Sequence, residues 1–394
     1  MIRRNTTLWI FIVTLALVSF GTVMVYSSSA ATAAYQKRGL LKKKAPELLY
    51  QTTLFHDPAF LNKQVVWVAL ALGALFLFYH IDYVKLGRFS HLIMAVAVIL
   101  LVMVLILGNK VNGAKRWLRI GSFTLQPSEF AKLALVIFMA RFLSEHKDKM
   151  KSFLKGFLPV LAILSITLIL VVREPDFGAT VVIGAIVFII WFIAGLRILH
   201  LSSLFIASIP CAVVAIIAEP YRLKRILAFL NPWADPMGGG YQIIQAQVAV
   251  GSGGILGRGL GAGLQKYQFL SEAHTDFIFA IVGEEVGLVG SMFVVLMFVL
   301  LLMLGVTVAL RATDYYTGLL ASGIVTMICL SAAVNIWVVL GMLPPKGLAL
   351  PFISYGGSSL LVNMAAIGIL LNISKTTEEA MGVNPRLKYA FGVR

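Results

Sequence analysis

Ten stretches of almost uninterrupted apolar residues recur along the chain, separated by short polar segments and a single long one. They cover residues 8–26, 65–79, 92–107, 127–143, 157–172, 179–196, 201–218, 286–309, 318–342 and 358–373. A helix of about 20 apolar residues crosses the roughly 30 Å hydrocarbon core of a bilayer. Helices satisfy their backbone groups internally, which open strands at lipid depth cannot do. The pattern therefore predicts an all-α polytopic membrane protein with ten transmembrane helices in a single domain, 1–394. The second run is short and is expected to begin a few residues earlier.

The first run follows Arg3 and Arg4 and precedes the small residues 27–34, superficially like a secretory signal. Its 19 residues exceed the roughly 7–15 of a signal core, so it reads as an uncleaved first helix. An even number of crossings puts both termini on one side. The compact basic group Lys147, Lys149, Lys151 and Lys155 assigns that side to the cytoplasm, making 374–394 a cytoplasmic tail. The whole-chain distribution of Lys and Arg does not separate the two sides, and Lys37, Arg38, Lys42, Lys43 and Lys44 stand in no recognisable motif. The connection 219–277, between the seventh and eighth helices, is by far the longest. It is extracytoplasmic on this topology, and loops of that length usually carry function.

Composition sharpens the class. Of 394 residues, 59% are hydrophobic and 13% charged, and the mean hydropathy is +0.91, which excludes a soluble globular protein. Lys and Arg number 33 against 17 Asp and Glu, a formal charge of +16. Anionic headgroups account for such a surplus better than nucleic acid, because no basic tail or aromatic-basic module is present. Cys211 and Cys329 lie inside apolar runs and report no disulfide framework. The histidines form no ligand spacing, so a His-based metal centre lacks support, while acidic metal sites stay open.

Several polar segments interrupt the apolar pattern. Ser271-Glu272-Ala273-His274-Thr275-Asp276-Phe277 places carboxylates where the long loop meets the next helix. Beside an apolar wall, a carboxylate can have its pKa raised and serve as a general base. The structural alternative is a helix cap by Thr275 or Asp276. Residues 278–309 are too long for one untilted crossing. Within them, the adjacent Glu284 and Glu285 point about 100° apart on a helix, so at least one should face a polar cavity or a cap. Gln126-Pro127-Ser128-Glu129-Phe130-Ala131-Lys132 opens the fourth helix with Glu129 and Lys132 on one face, as an entrance ion pair or a functional pair at membrane depth.

Lys115-Arg116-Trp117-Leu118-Arg119 combines cations with an interfacial aromatic, suited to phosphate contact from a surface loop or to headgroup anchoring. Arg222, Lys224 and Arg225 carry the same ambiguity. Arg173-Glu174-Pro175-Asp176-Phe177-Gly178 is a tight turn whose charges can pair locally, with Asp176 free to meet a cation or the Lys132 face. Residues 241–250 could form a short surface helix. Residues 251–263 hold seven glycines, without the preceding strand of a dinucleotide site or a Walker lysine, and read as an adaptable loop against a ligand or lipid. The Pro- and Gly-rich segments Leu343 to Leu348 and Pro351 to Ser359 predict irregular backbone lining the same cavity as the long loop.

Taken together, residues 126–132, 173–178, Gly240-Tyr241-Gln242, 272–277 with Gly283-Glu284-Glu285, and 351–359 resemble the SEDS family (shape, elongation, division and sporulation), in order and spacing over almost the whole chain. Phe229-Leu230-Asn231-Pro232-Trp233-Ala234-Asp235-Pro236 and Lys346-Gly347-Leu348 resemble its division branch more than its elongation branch. The resemblance implies ten helices, cytoplasmic termini and a peptidoglycan glycosyltransferase polymerising lipid II on the outer side of the bacterial plasma membrane, at the division septum. It implies a class B penicillin-binding protein and other divisome membrane proteins as partners. It puts the essential aspartate at Asp276 and polar helix-four residues at Glu129 and Lys132.

On that basis Asp276 is expected to deprotonate the acceptor sugar hydroxyl. Lys132, Arg116, Arg119 or Lys346 would stabilise the departing diphosphate, and Asp176 would help to hold substrate. A divalent cation, magnesium or manganese, could share that task, and no nucleotide is implied. A lipid II flippase and a division scaffold are the rival readings. No internal repeat is visible to favour a transporter built from inverted repeats. The chain departs from the family at Ser271, where many members carry Pro, and in a long basic first loop, 35–63.

Overall fold

The computed structural model describes residues 5–42, 58–111, 114–121, 123–149, 152, 156–267, 269–270 and 272–383. Every apolar run is helical. In chain order the helices are α1 (Thr6–Lys42), α2 (Pro58–His80), α3 (Tyr83–Arg88), α4 (Ser90–Leu107), α5 (Pro127–Glu145), α6 (Leu158–Arg173), α7 (Phe177–Ile193), α8 (Ile198–Ile217), α9 (Pro220–Leu230), α10 (Tyr241–Ser252), α11 (Ile278–Glu285), α12 (Gly287–Leu310), α13 (Tyr315–Val339) and α14 (Gly357–Val383). Among the described residues, seven helical stretches are long and apolar enough to cross a membrane: Thr6–Ser28, Asn62–His80, Ser90–Leu107, Ile198–Ile217, Ile278–Leu310, Tyr315–Val339 and Gly357–Ala380. α6 and α7 are apolar but shorter, and α5 carries Glu129, Lys132, Arg141 and Glu145.

α5 and α13 form the centre of the bundle and are buried along most of their length. α8, of which only Leu201 is buried, lies at the edge and presents Phe205, Ile206 and Val214 outward. An apolar surface of this kind is what lipid, rather than water, accommodates.

Several expectations need correction. The fold is not purely α: β1 (Asn109–Val111), β2 (Ala114–Ile120) and β3 (Phe123–Leu125) form an antiparallel sheet in that order, pairing Asn109 with Trp117 and Leu118 with Leu125. The cationic segment read as a loop is thus the central strand, beyond the end of α4, where strand pairing satisfies a backbone that has left its helix. The expected tail from residue 374 begins inside α14, because Ser374 and Thr377 are buried and Thr7 donates its hydroxyl to Ser374 (2.8 Å) and its amide to Glu378 (3.2 Å).

The first loop is shorter than expected, since α1 continues to Lys42 and α2 starts at Pro58; Lys43, Lys44 and, elsewhere, Lys151, Lys155 and Ser271 lie outside the described residues. The short helix expected over 241–250 is present as α10, which buries one face through Ile243, Ile244, Ala246 and Ala249 and leaves Gln247 and Val248 exposed. The overlong apolar stretch 278–309 resolves into two helices. Gly287, at φ +71°, breaks the chain between α11 and α12, a conformation that a side chain would strain.

Candidate active site

The segment Glu272 to Phe277 sits at one end of the bundle and is held by its backbone. Asn335 of α13 donates its amide to the carbonyls of Asp276 (2.9 Å) and Leu348 (2.5 Å). The Ser354 hydroxyl donates to the Thr275 carbonyl and accepts from the Leu350 amide at 2.8 Å, while the Tyr355 amide donates to the His274 carbonyl at 2.9 Å. The Pro- and Gly-rich loop therefore packs directly on the acidic segment. Neither Thr275 nor Asp276 caps α11: its N-cap is Phe277, with no side-chain cap bond, and the Thr275 hydroxyl turns back to Glu272.

Freed from capping, Asp276 points its carboxylate at Gly347. A methyl group on Gly347 would lie 3.1 Å from Asp276 Oδ2 and 3.9 Å from Arg116 Nη1. Asp276 is only partly exposed, and burial raises its pKa to about 7. The charges of Glu272 and Asp176 push in the same direction, and Arg225 and Arg116 oppose them.

Arg116 reaches this ring from β2, donating Nε to the Glu174 carbonyl at 3.2 Å and Nη2 to the Pro175 carbonyl. Alternation along a strand turns Arg119 to the opposite face from the side that Arg116 shares with buried Leu118. Arg119 is exposed and bonds within its own turn, Nε to the Gly121 carbonyl at 3.4 Å, so the structure does not bring it to Asp276. Lys115 caps α4 through the carbonyls of Leu105 and Ile106.

The turn before α7 supplies two acids. Asp176 accepts from the Ala179 amide (2.9 Å) and from Gln126 Nε2 (3.4 Å), and lies in the field of Arg116, Glu129 and Lys132. Glu129 and Lys132 pair at 2.8 Å, both buried at the entrance of α5. Glu174 is fully buried and neither carboxylate oxygen has a hydrogen-bond partner, so the turn does not neutralise itself locally. Burial and then Asp176 push the Glu174 pKa up to about 8, against Arg116. Lys346, partly buried, packs its Cβ over Gly178 beside Asp176, and burial lowers its pKa. Arg225 of α9 donates to the Pro345 carbonyl at 3.2 Å.

The sequence does not single out Glu174, Asn335 and Ser354 as site residues, and it offers Arg225 only as one of three cations suited to phosphate or headgroup contact. Asn335 did carry a signal, as an amide within an apolar run. Among the described residues no three His, Cys, Asp or Glu side chains converge as metal ligands, and both Asp176 oxygens already accept hydrogen bonds.

The glycine-rich segment is not an adaptable cradle. A side chain at Gly257, φ +77°, would strike the Glu285 carbonyl at 2.3 Å. The amides of Leu288 and Val289 donate to the carbonyls of Gly254 and Ile255 (2.9 and 3.2 Å), so this segment is packed onto the α11–α12 junction.

An acidic centre ringed by cations, set at one end of a bundle of apolar helices, defines a multi-pass membrane protein. A family model described as cell cycle protein, grouping FtsW, RodA and SpoVE, matches residues 7–379, and the chain belongs to that family. It is 41% identical over 377 residues to stage V sporulation protein E of Bacillus subtilis (strain 168), covering 95% of this chain and 98% of that protein. It is 43% identical over 368 residues to the probable peptidoglycan glycosyltransferase FtsW of Geobacter metallireducens, covering 93% of each. A solved chain from a peptidoglycan synthase complex coordinating polymerization and crosslinking superposes with a TM-score of 0.72 at 30% identity, covering 93% of this chain and 97% of that one. The rod shape determining protein RodA of Thermus thermophilus gives 0.65 at 26% identity, covering 93% and 95%.

Proposed function

We propose that this chain is a peptidoglycan glycosyltransferase that polymerises lipid II at the outer face of the bacterial plasma membrane during septal wall synthesis, with Asp276 as general base. In this reading the ten apolar helices all cross the bilayer, both termini are cytoplasmic, and the loop 219–277 and the sheet lie outside. A class B penicillin-binding protein is the partner, among other divisome membrane proteins. Relatives named as glycosyltransferases over nearly the full chain support the activity.

Asp276 takes the proton of the acceptor sugar hydroxyl, whose oxygen attacks the anomeric carbon of the donor. The bond to undecaprenyl pyrophosphate breaks, the diphosphate leaves with the electron pair, and the anomeric centre inverts. A carboxylate with pKa about 7 matches a general base working near neutrality. Arg116, Arg225 and Lys346, from three different segments, offset the charge that develops on the diphosphate. Lys132, held by Glu129, adds to the same field through Asp176.

The observation that carries the reading is a carboxylate free of capping duty, raised in pKa and flanked by two arginines. The test is glycan-chain formation from lipid II by the full chain in detergent with its transpeptidase partner. Detergent abolishes the second compartment a flippase needs, so only an enzyme yields product. Asp276→Ala should abolish polymer; polymer at the wild-type rate would refute the assignment.

A further inference from the structure

The acidic segment belongs to a stretch of chain that is tied shut at its base. Lys266 Nζ meets Glu285 Oε1 at 2.6 Å, with both side chains almost completely buried. The second oxygen of Glu285 accepts from the Ser27 hydroxyl of α1 at 2.6 Å and from the Gly261 amide at 3.0 Å, and Lys266 also donates to Ser27 at 3.2 Å. Glu284 turns to the neighbouring segment, accepting from the amides of Leu264 (2.7 Å) and Gln265 (3.2 Å), with Arg258 at 3.8 Å. Between this knot and Asp276 stands α11, buried from Ile278 to Glu285. Both ends of the excursion that presents Asp276 are therefore fixed to one point, and that point is also fixed to α1.

A buried ion pair is a poor way to gain stability, because well-packed apolar residues of similar volume often serve as well or better. Here every carboxylate oxygen of the pair finds a partner, and the arrangement closes the one segment on which the acid depends. We propose that Lys266 and Glu285, with Ser27 and Glu284, are positioning residues: a clamp that holds Asp276 at its depth against Gly347 for polymerisation. The role rests on the reading of Asp276 as the base. None of the four touches the ring around Asp276, which consists of Glu272 on its own segment, Asp176 from the turn before α7, Arg116 from β2 and Arg225 from α9. The clamp acts by geometry, since a displacement of about 1 Å at a reacting group can cost on the order of a hundredfold in rate.

The test is the double variant Lys266→Met, Glu285→Gln in the full chain, which removes both charges together and strands neither. Thermal unfolding reports the fold, and lipid II polymerisation with the class B partner reports kcat, KM and the pH profile. The expected result is a folded protein with KM within about twofold and kcat lowered roughly tenfold to a hundredfold. The midpoint of the pH–rate profile should fall below about 7 as the carboxylate becomes better hydrated. A folded double variant with wild-type kcat, or with lower kcat and an unmoved midpoint, overturns the clamp. Should the double variant fail to fold, Ser27→Ala decides: it removes one hydroxyl from Glu285 and should move kcat and midpoint in the same directions by less, and an unchanged profile overturns the proposal. Asp276→Ala separates the two claims. Wild-type polymerisation by that variant removes the base itself, and the clamp with it, whereas an inactive Asp276→Ala beside an unperturbed clamp variant removes only the clamp.

Discussion

Asn335 donates its side-chain amide to the carbonyl oxygen of Asp276 at 2.9 Å, from near the C-terminal end of a helix otherwise apolar enough to span a membrane. The same nitrogen serves Leu348 at 2.5 Å, so one side chain joins α13 to both segments that meet over the site. Asn335→Leu leaves two carbonyls without that donor, each worth about 1–3 kcal/mol if buried. The expected outcome is a protein that still inserts and folds, with kcat for lipid II lowered by at least about tenfold. Retention of full kcat in a polymerisation assay would show that Asp276 needs no such tether.

The pH dependence follows from Asp276. Its pKa is raised to about 7, so the base form is lost as pH falls through that value and the rate should decline about tenfold per unit below it. A profile measured from pH 5 to 9 checks this, and a rate flat down to pH 5 contradicts the assignment.

Glu174 predicts a stability effect of opposite character. Its pKa rises from 4.5 unfolded to about 8 in the fold, so the favourable contribution of its protonated form is complete below 4.5 and disappears as pH climbs through about 8. Glu174→Gln keeps the neutral form at every pH. The variant should match the parent in acid and exceed it in alkaline buffer, by on the order of a few kcal/mol at most. Thermal unfolding across pH 4–9 gives the comparison, and parallel curves would mean that Glu174 is not held neutral.

The two arginines of β2 should behave differently although they are close in sequence. Arg116 lies beside Asp276 and hooks the carbonyls of Glu174 and Pro175, whereas Arg119 is exposed on the other face. Arg116→Ala is expected to lower kcat/KM by about a hundredfold and Arg119→Ala by less than about threefold. Equal losses would place both on the substrate.

Gly347→Ala puts a methyl group 3.1 Å from Asp276 Oδ2, close enough that the carboxylate or the loop must shift. Because Gly347 is exposed, unfolding temperature should hardly change while polymerisation falls several-fold or more. An active Gly347→Ala would indicate a site with more room than this contact allows.

The helices are legible in the chain alone, because lipid forces every uninterrupted apolar run to satisfy its backbone internally, and the observed helix limits lie within a few residues of most run ends. The chain also singles out Asp276, Glu129, Lys132, Asp176, Arg116 and Lys346, since charges beside apolar runs are costly enough to stand out. The three-stranded sheet escaped notice: β1 and β3 have three residues each, too few to show alternation.

Tertiary structure decided the rest. It set Arg116 apart from Arg119, joined Asn335 and Ser354 to the acidic segment, left Glu174 without a hydrogen-bond partner and packed the glycines against Glu285. Those relationships link residues tens to hundreds of positions apart, and local periodicity encodes which face a residue occupies but not which distant face comes to meet it.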